Sequence, residues 1–146
     1  MEGMRFMKEA AEAEGAGWPN PTPEQMAELG VDWNIFPNMV LVFSLDSTLV
    51  FRAVPDGDSP DHCIFDMWGL LRVAPDSPPE FEYEFYDNWR GHEDKIPFLL
   101  VQDLENIERV HRGMKSMAFS ASRANPIQEK QITNHHRTLR QYLEAE

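Results

Sequence analysis

The stretch FLLVQDLENIERVHRGM, Phe98 to Met114, restricts the possible folds of this chain more than any other. Read at helical period, Leu99, Leu100, Asn106, Ile107, Val110 and Met114 lie three, four, seven or eleven residues from Asp103, so a carboxylate sits inside the apolar stripe of a helix. An isolated carboxylate carried into an apolar core costs several kcal/mol or is neutralised, unless a cation, a metal or a set of donors meets it. Two readings follow. Either the helix is half exposed, with Asp103 at the edge of the stripe or acting as a first-turn acid behind Pro97, or a partner meets the carboxylate.

The chain is 146 residues long, enough for one core, and its 42% apolar content with four Trp, nine Phe and eight Met fits a folded globular protein. No run of about eighteen apolar residues occurs, and the N-terminal MEGMRFMKEAAEAEG is charged, so neither a membrane span nor a secretory signal is expected. The expected location is therefore cytoplasmic. The single Cys63 makes no internal disulfide and cannot by itself hold a structural zinc or an iron–sulfur cluster. Thirteen bases against 25 acids give a net charge of −12, which argues against a nucleic-acid surface. The acids crowd between Asp56 and Asp94, whereas bases dominate from Arg109 to Arg140. That unevenness is read as two halves facing each other or neighbouring subunits.

Taken in order, residues 4–14 predict an amphipathic helix stopped by Gly15 and Gly17. Thr22-Pro23-Glu24-Gln25 is a capping box opening a helix over 23–29, closed by Gly30. Val31 to Asn38 leads into a buried strand, Met39–Phe43; a turn at Leu45–Thr48 and a returning strand at Leu49–Val54 complete a hairpin. Cys63 to Val73 alternates, with Cys63, Phe65 and Met67 on one face and Ile64, Asp66 and Trp68 on the other. Phe81, Tyr83 and Phe85 suggest an edge strand, and Tyr86–Pro97 a loop or short turn. The Asp103 helix follows. A last helix opens on a second capping box, Asn125-Pro126-Ile127-Gln128, and runs to Leu143. Strands grouped before the two final helices indicate an α+β fold, an antiparallel sheet packed on a long helix.

The five histidines, His62, His92, His111, His135 and His136, include no pair at the spacing of two ligands on one helix. A complete metal site is not encoded. His135 and His136 diverge by about 100° around their helix and are read as structural. No nucleophile elbow, glycine-rich phosphate loop or Cys/His pair is present. In non-haem iron oxygenases two His and one carboxylate hold the metal, and Asp103 suits the carboxylate position.

The Phe36-Pro37-Asn38 lead-in to a strand, the Asp103-x-x-Asn106-x-Glu108 helix, the Arg112-Gly113-Met114-Lys115-Ser116 exit and a terminal helix opening on Asn125-Pro126 together resemble a known family. It is the Rieske-type aromatic ring-hydroxylating oxygenases, in the C-terminal part of the large (alpha) subunit's catalytic domain. The resemblance spans Val31 to Leu143, so the chain divides into an N-terminal helical segment, 1–30, and a catalytic-domain part, 31–146.

The resemblance implies a helix-grip (START/Bet v 1-like) fold around an apolar substrate cavity. It makes Asp103 the carboxylate ligand of mononuclear Fe(II), places Asn38 with Asp103 as candidate catalytic residues, and assigns Trp33, Phe36, Asn38, Leu99 and Asn106 to the substrate pocket. It further implies oxidation of an aromatic or related apolar substrate with O₂, electrons drawn from NADH through a reductase or ferredoxin and a 2Fe–2S cluster, and a homotrimer. The cysteine and histidine motif of that cluster and the histidine pair of the iron site are absent from this sequence. Two explanations stand, a fragment of a longer protein or a truncated paralogue, and the fragment is the reading adopted. The alternatives in function are a metal-free domain binding an apolar ligand and a truncated subunit acting by association.

Overall fold

The computed structural model describes residues 2–77, 80 and 83–145. They fall into two compact units, Met1–Pro79 with Ala124–Glu146, and Glu80–Arg123. The larger unit holds helices α1 (Glu2–Ala13) and α2 (Pro23–Leu29), strands β1 (Asp32–Ile35), β2 (Met39–Phe43), β3 (Ser47–Pro55) and β4 (Cys63–Leu71), and a C-terminal helix; the smaller holds α3 (Phe98–Met114). The C-terminal helix, α4, is Lys130–Leu143. The α+β order read from the sequence is the order found, with the strands forming one antiparallel meander, β1-β2-β3-β4.

Local chemistry explains most of the element boundaries. Thr22 Oγ1 accepts from the Gln25 N–H and Gln25 Oε1 accepts from the Thr22 N–H, so two otherwise orphaned donors at the start of α2 are satisfied reciprocally. Gly30 ends that helix at φ +69°, where a side chain would be strained. The register of β3 on β4 runs unbroken from Ser47↔Leu71 to Pro55↔Cys63, which puts Phe65 and Met67 on one face and Asp66 and Trp68 on the other, as the alternation requires.

Three expectations need correction. Asp32 to Ile35, read as a lead-in, is a strand; the turn at Phe36-Pro37-Asn38 folds it back so that Ile35 pairs Met39. All four of its residues are exposed, which is why no apolar alternation announced it. In the expected edge strand, Phe81 and Glu82 lie outside the described residues, and Tyr83 to Phe85 form no strand. Alternation alone supplies no partner for their backbone groups.

The last helix, finally, begins later than its capping box. Asn125 Oδ1 accepts from the N–H groups of Ile127 and Gln128, but the reciprocal acceptor for the Asn125 N–H is Glu129 Oε2, one residue beyond the expected Gln128. Residues 126–129 are therefore a hydrogen-bonded turn, and α4 starts at Lys130.

Within the larger unit α4 lies against β1. Phe36 is the wedge between them, its ring centroid 5.1 Å from Tyr142 and 5.6 Å from His135. On the sheet, Trp33 meets Phe43 edge to face at 5.4 Å. Among the described residues the buried apolar side chains are Ala16 and Val50, each still 8% exposed. Arg72 Nε donates to the Ala16 carbonyl at 3.0 Å, tying the chain after β4 to the connector after α1. No helix among the described residues is long and apolar enough to cross a membrane.

Candidate functional site

Helix α3 has the periodicity the sequence demands, and its stripe is open. Leu99 is 71% exposed and Val110 52%, and Phe98, Ile107 and Met114 are exposed with them. Asp103 sits among these residues, itself exposed, with no hydrogen bond or ion pair to any described residue. Of the two readings of this stripe, the half-exposed helix is the one the structure describes; no described residue meets the carboxylate with a hydrogen bond or charge. Within its own unit α3 packs by its other face, where Val101, Leu104, Glu105 and Glu108 are half-buried.

The loop before α3 covers that other face with donors. Trp89 Nε1 donates to Glu108 Oε1 at 3.2 Å and Arg90 Nη2 to Glu108 Oε2 at 2.5 Å. The Arg90 guanidinium lies over the Trp89 ring, 4.4 Å from its centroid. The hydrogen bond from Arg90, aided by that from Trp89 and opposed by partial desolvation, holds the Glu108 carboxyl below the usual range. In the same loop Tyr86 stacks on His92 at 3.9 Å, and the Gly91 N–H donates to Glu93 Oε2 at 2.9 Å, lowering the Glu93 pKa. Gly91 makes this turn at φ +90°.

The remaining candidates cluster around the β1–β2 turn in the larger unit. Asn38 Nδ2 donates to the Ala53 carbonyl at 2.7 Å, while the Asn38 carbonyl accepts from the Ala53 N–H at 3.1 Å, so Asn38 continues the β2–β3 ladder by one residue. Its amide nitrogen has a structural partner. Trp33 Nε1 donates to the Leu29 carbonyl at 2.7 Å, anchoring β1 to the end of α2. Asn38 lines an open depression of about 330 Å³ with Pro37, Val40, Ala53, Ile132 and His135; Trp33 and Phe36 lie beside the turn but do not line it. The predicted residues thus form two groups: Leu99, Asp103 and Asn106 on α3, and Trp33, Phe36 and Asn38 around the turn.

Sequence reading passed over the Trp89–Arg90–Glu108 cluster. The available signal was a second carboxylate five residues after Asp103, about 140° around the helix, preceded by a Trp-Arg pair in the loop. It also missed Arg52, which pairs with Asp66 and lies over Trp68.

The donor set fits the implied metal groups unequally. A Rieske cluster needs two thiolates and two imidazoles; the one cysteine of the chain, Cys63, does not fit it. A mononuclear iron site needs one carboxylate and two imidazoles. Asp103 fits the first requirement, and the described residues contain no cluster of three His, Cys, Asp or Glu that would complete the set.

A family model described as the ring hydroxylating alpha subunit (catalytic domain) matches residues 2–145, taking in the N-terminal helical segment as well as the region from Val31 onward. No curated protein and no solved structure matches the chain. With nearly its whole length covered by that model, the chain belongs to the ring-hydroxylating alpha subunit catalytic-domain family.

Proposed function

We propose that this chain contributes the carboxylate arm of a mononuclear Fe(II) oxygenase site, and that Asp103 is that arm. One observation carries the reading. Of the three acids on α3, Glu105 is paired with Arg109 and Glu108 with Arg90 and Trp89, while Asp103 stands alone among apolar side chains. Unlike those two, the Asp103 carboxylate has no ion pair with a described residue that metal ligation would first have to break.

In this reading the iron, when bound, supplies O₂ activation, and its two imidazoles come from polypeptide other than the residues described. Leu99, Ile107 and Val110, one or two turns from Asp103, would wall an apolar substrate of the aromatic class, with Asn106 as a polar contact on the same face. Electrons would come from NADH through a reductase and a Rieske cluster carried outside this chain.

Reconstitution tests this. The chain is mixed with a family polypeptide bearing the Rieske centre and the paired histidines, then supplied with Fe(II), reductase, NADH and a panel of aromatic hydrocarbons and aromatic acids. Hydroxylated product is expected with the native chain and none with Asp103→Asn. Tight stoichiometric Fe(II) binding by the chain alone, or product that persists in the variant, would overturn the assignment.

A second reading, a metal-free domain holding an apolar ligand, draws on the depression beside Asn38, whose volume of about 330 Å³ reaches the lower end of small-molecule sites. Binding of an apolar fluorescent probe that is abolished by Ile132→Asp and indifferent to Asp103→Asn would favour it.

A further inference from the structure

We propose that Glu108 is a positioning residue for Asp103: by taking the indole N–H of Trp89 and the guanidinium of Arg90, it fixes the rotation of α3 and keeps the Asp103 face turned away from the loop. The inference rests on the Asp103 reading above for its functional meaning, but the geometry behind it lies wholly within the smaller unit.

The two carboxylates are five residues apart, about 140° around the helix, so a grip on one side dictates which side the other presents. A helix with an open apolar stripe has a standing tendency to roll that stripe inward, since burying it is favourable. Something must oppose the roll. Glu108 has the chemistry to do so, because a carboxylate only accepts while an indole N–H and a guanidinium only donate, and each of its oxygens has its own donor at 3.2 and 2.5 Å.

The donors are themselves braced. Arg90 rests on the Trp89 ring, its backbone N–H donates to Asn88 Oδ1 at 2.9 Å, and the loop closes through the Tyr86–His92 stack. The other acid on this side, Glu105, pairs with Arg109 of the same helix and therefore fixes nothing about the helix's rotation. A glutamine at position 108 would keep the size but present one acceptor and a surplus N–H pair to two donors.

The test reads helix orientation and involves no iron. In a Cys63→Ser background, Asp103→Cys and Leu104→Cys are made separately, each with and without Glu108→Gln, and the rate of modification by a small disulfide reagent is measured for each thiol. Position 103 is exposed and 104 half-buried, so the first thiol reacts faster. With Glu108→Gln the ratio of the two rates is expected to fall by about threefold to tenfold, the factor that loss of one partly exposed charge-assisted bond allows, as 103 slows and 104 quickens. Glu105→Gln, the control, should leave the ratio unchanged.

An unchanged ratio with Glu108→Gln overturns the proposal. So does a fast rate at both positions accompanied by loss of helical signal, which would make Glu108 a plain contributor to folding. Failure here leaves the iron assignment standing, and product formation indifferent to Asp103 would remove that assignment while leaving the rotation measurement intact.

Discussion

Arg52 donates from both Nε (2.9 Å) and Nη2 (2.7 Å) to one oxygen of Asp66, its direct neighbour across the β3–β4 ladder. The two side chains are unequally wet: Asp66 is 14% exposed and Arg52 42%, with the guanidinium also lying 5.1 Å over the Trp68 ring. Removing the arginine strands a mostly enclosed carboxylate, whereas removing the acid leaves a guanidinium that can turn to water. Arg52→Ala is therefore expected to destabilise by about 2 kcal/mol and Asp66→Ala by about 1 kcal/mol. Urea unfolding of both variants checks the order; equal losses, or a larger one for Asp66→Ala, would contradict the asymmetry.

Asn38 extends the β2–β3 ladder through its side chain as well as its backbone. Asn38→Ala should cost about 1 kcal/mol, the net value of one hydrogen bond. Asn38→Asp should cost more, because it replaces the donor with a charge facing the Ala53 carbonyl. Denaturant midpoints give the magnitudes. Any catalytic part for Asn38 would appear separately, as a loss of product in the reconstituted enzyme larger than the loss of folded protein.

Stability should fall on the acid side through three glutamates. The Glu108 carboxyl is lowered by its bond from Arg90, Glu93 by the Gly91 N–H, and Glu24 by backbone and Thr22 hydrogen bonds at the start of α2. A folded-state pKa below the unfolded value means that the folded protein binds protons less readily. The stabilisation is then complete above the unfolded pKa and lost as pH falls through the folded one. All three groups are solvent-accessible, so each contribution is small and screened by salt. Unfolding midpoints between about pH 5 and pH 3 should decline less steeply in Glu108→Gln than in the native chain. An identical slope would show that the Arg90 contact has no energetic weight.

Thr22→Ala removes the acceptor for the Gln25 N–H and, with it, half of the reciprocal pair at the start of α2. A loss of about 1 kcal/mol is expected by chemical denaturation, and Thr22→Ser should restore most of it.

What was legible in the sequence was what local chemistry decides. The Thr22 box, the Met39–Phe43 strand, the two faces of β4 and the stripe of α3 each depend on residues within a few positions of one another. β1 was not legible because its residues are exposed on both faces; its partner and its turn made it a strand. The Glu108 grip depends on residues 18 and 19 positions away in an irregular loop, beyond the reach of any periodicity. For Asp103 the pattern located the residue on its face, but periodicity cannot tell an apolar stripe that is covered from one that is open. The displacement of α4 has a similar origin, since Gln128 and Glu129 both can reach back to Asn125 and only packed geometry chooses between them.

Asp103 offers the sharpest separation of folding from function. Its side chain is exposed and makes no hydrogen bond or ion pair with any described residue, so Asp103→Asn should change stability by less than about 0.5 kcal/mol. In an ordinary surface acid that would be the whole effect. A carboxylate serving iron behaves differently, because an amide is a neutral and much weaker ligand, and product formation in the reconstituted enzyme should then vanish while the unfolding curve stays in place. Asp103→Leu sharpens the contrast by completing an unbroken apolar row with Leu99, Ile107 and Val110, which should promote self-association visible in sedimentation. A marked loss of stability in Asp103→Asn would mean that the carboxylate has a structural partner after all, and the proposal that it is free to ligate iron would lose its footing.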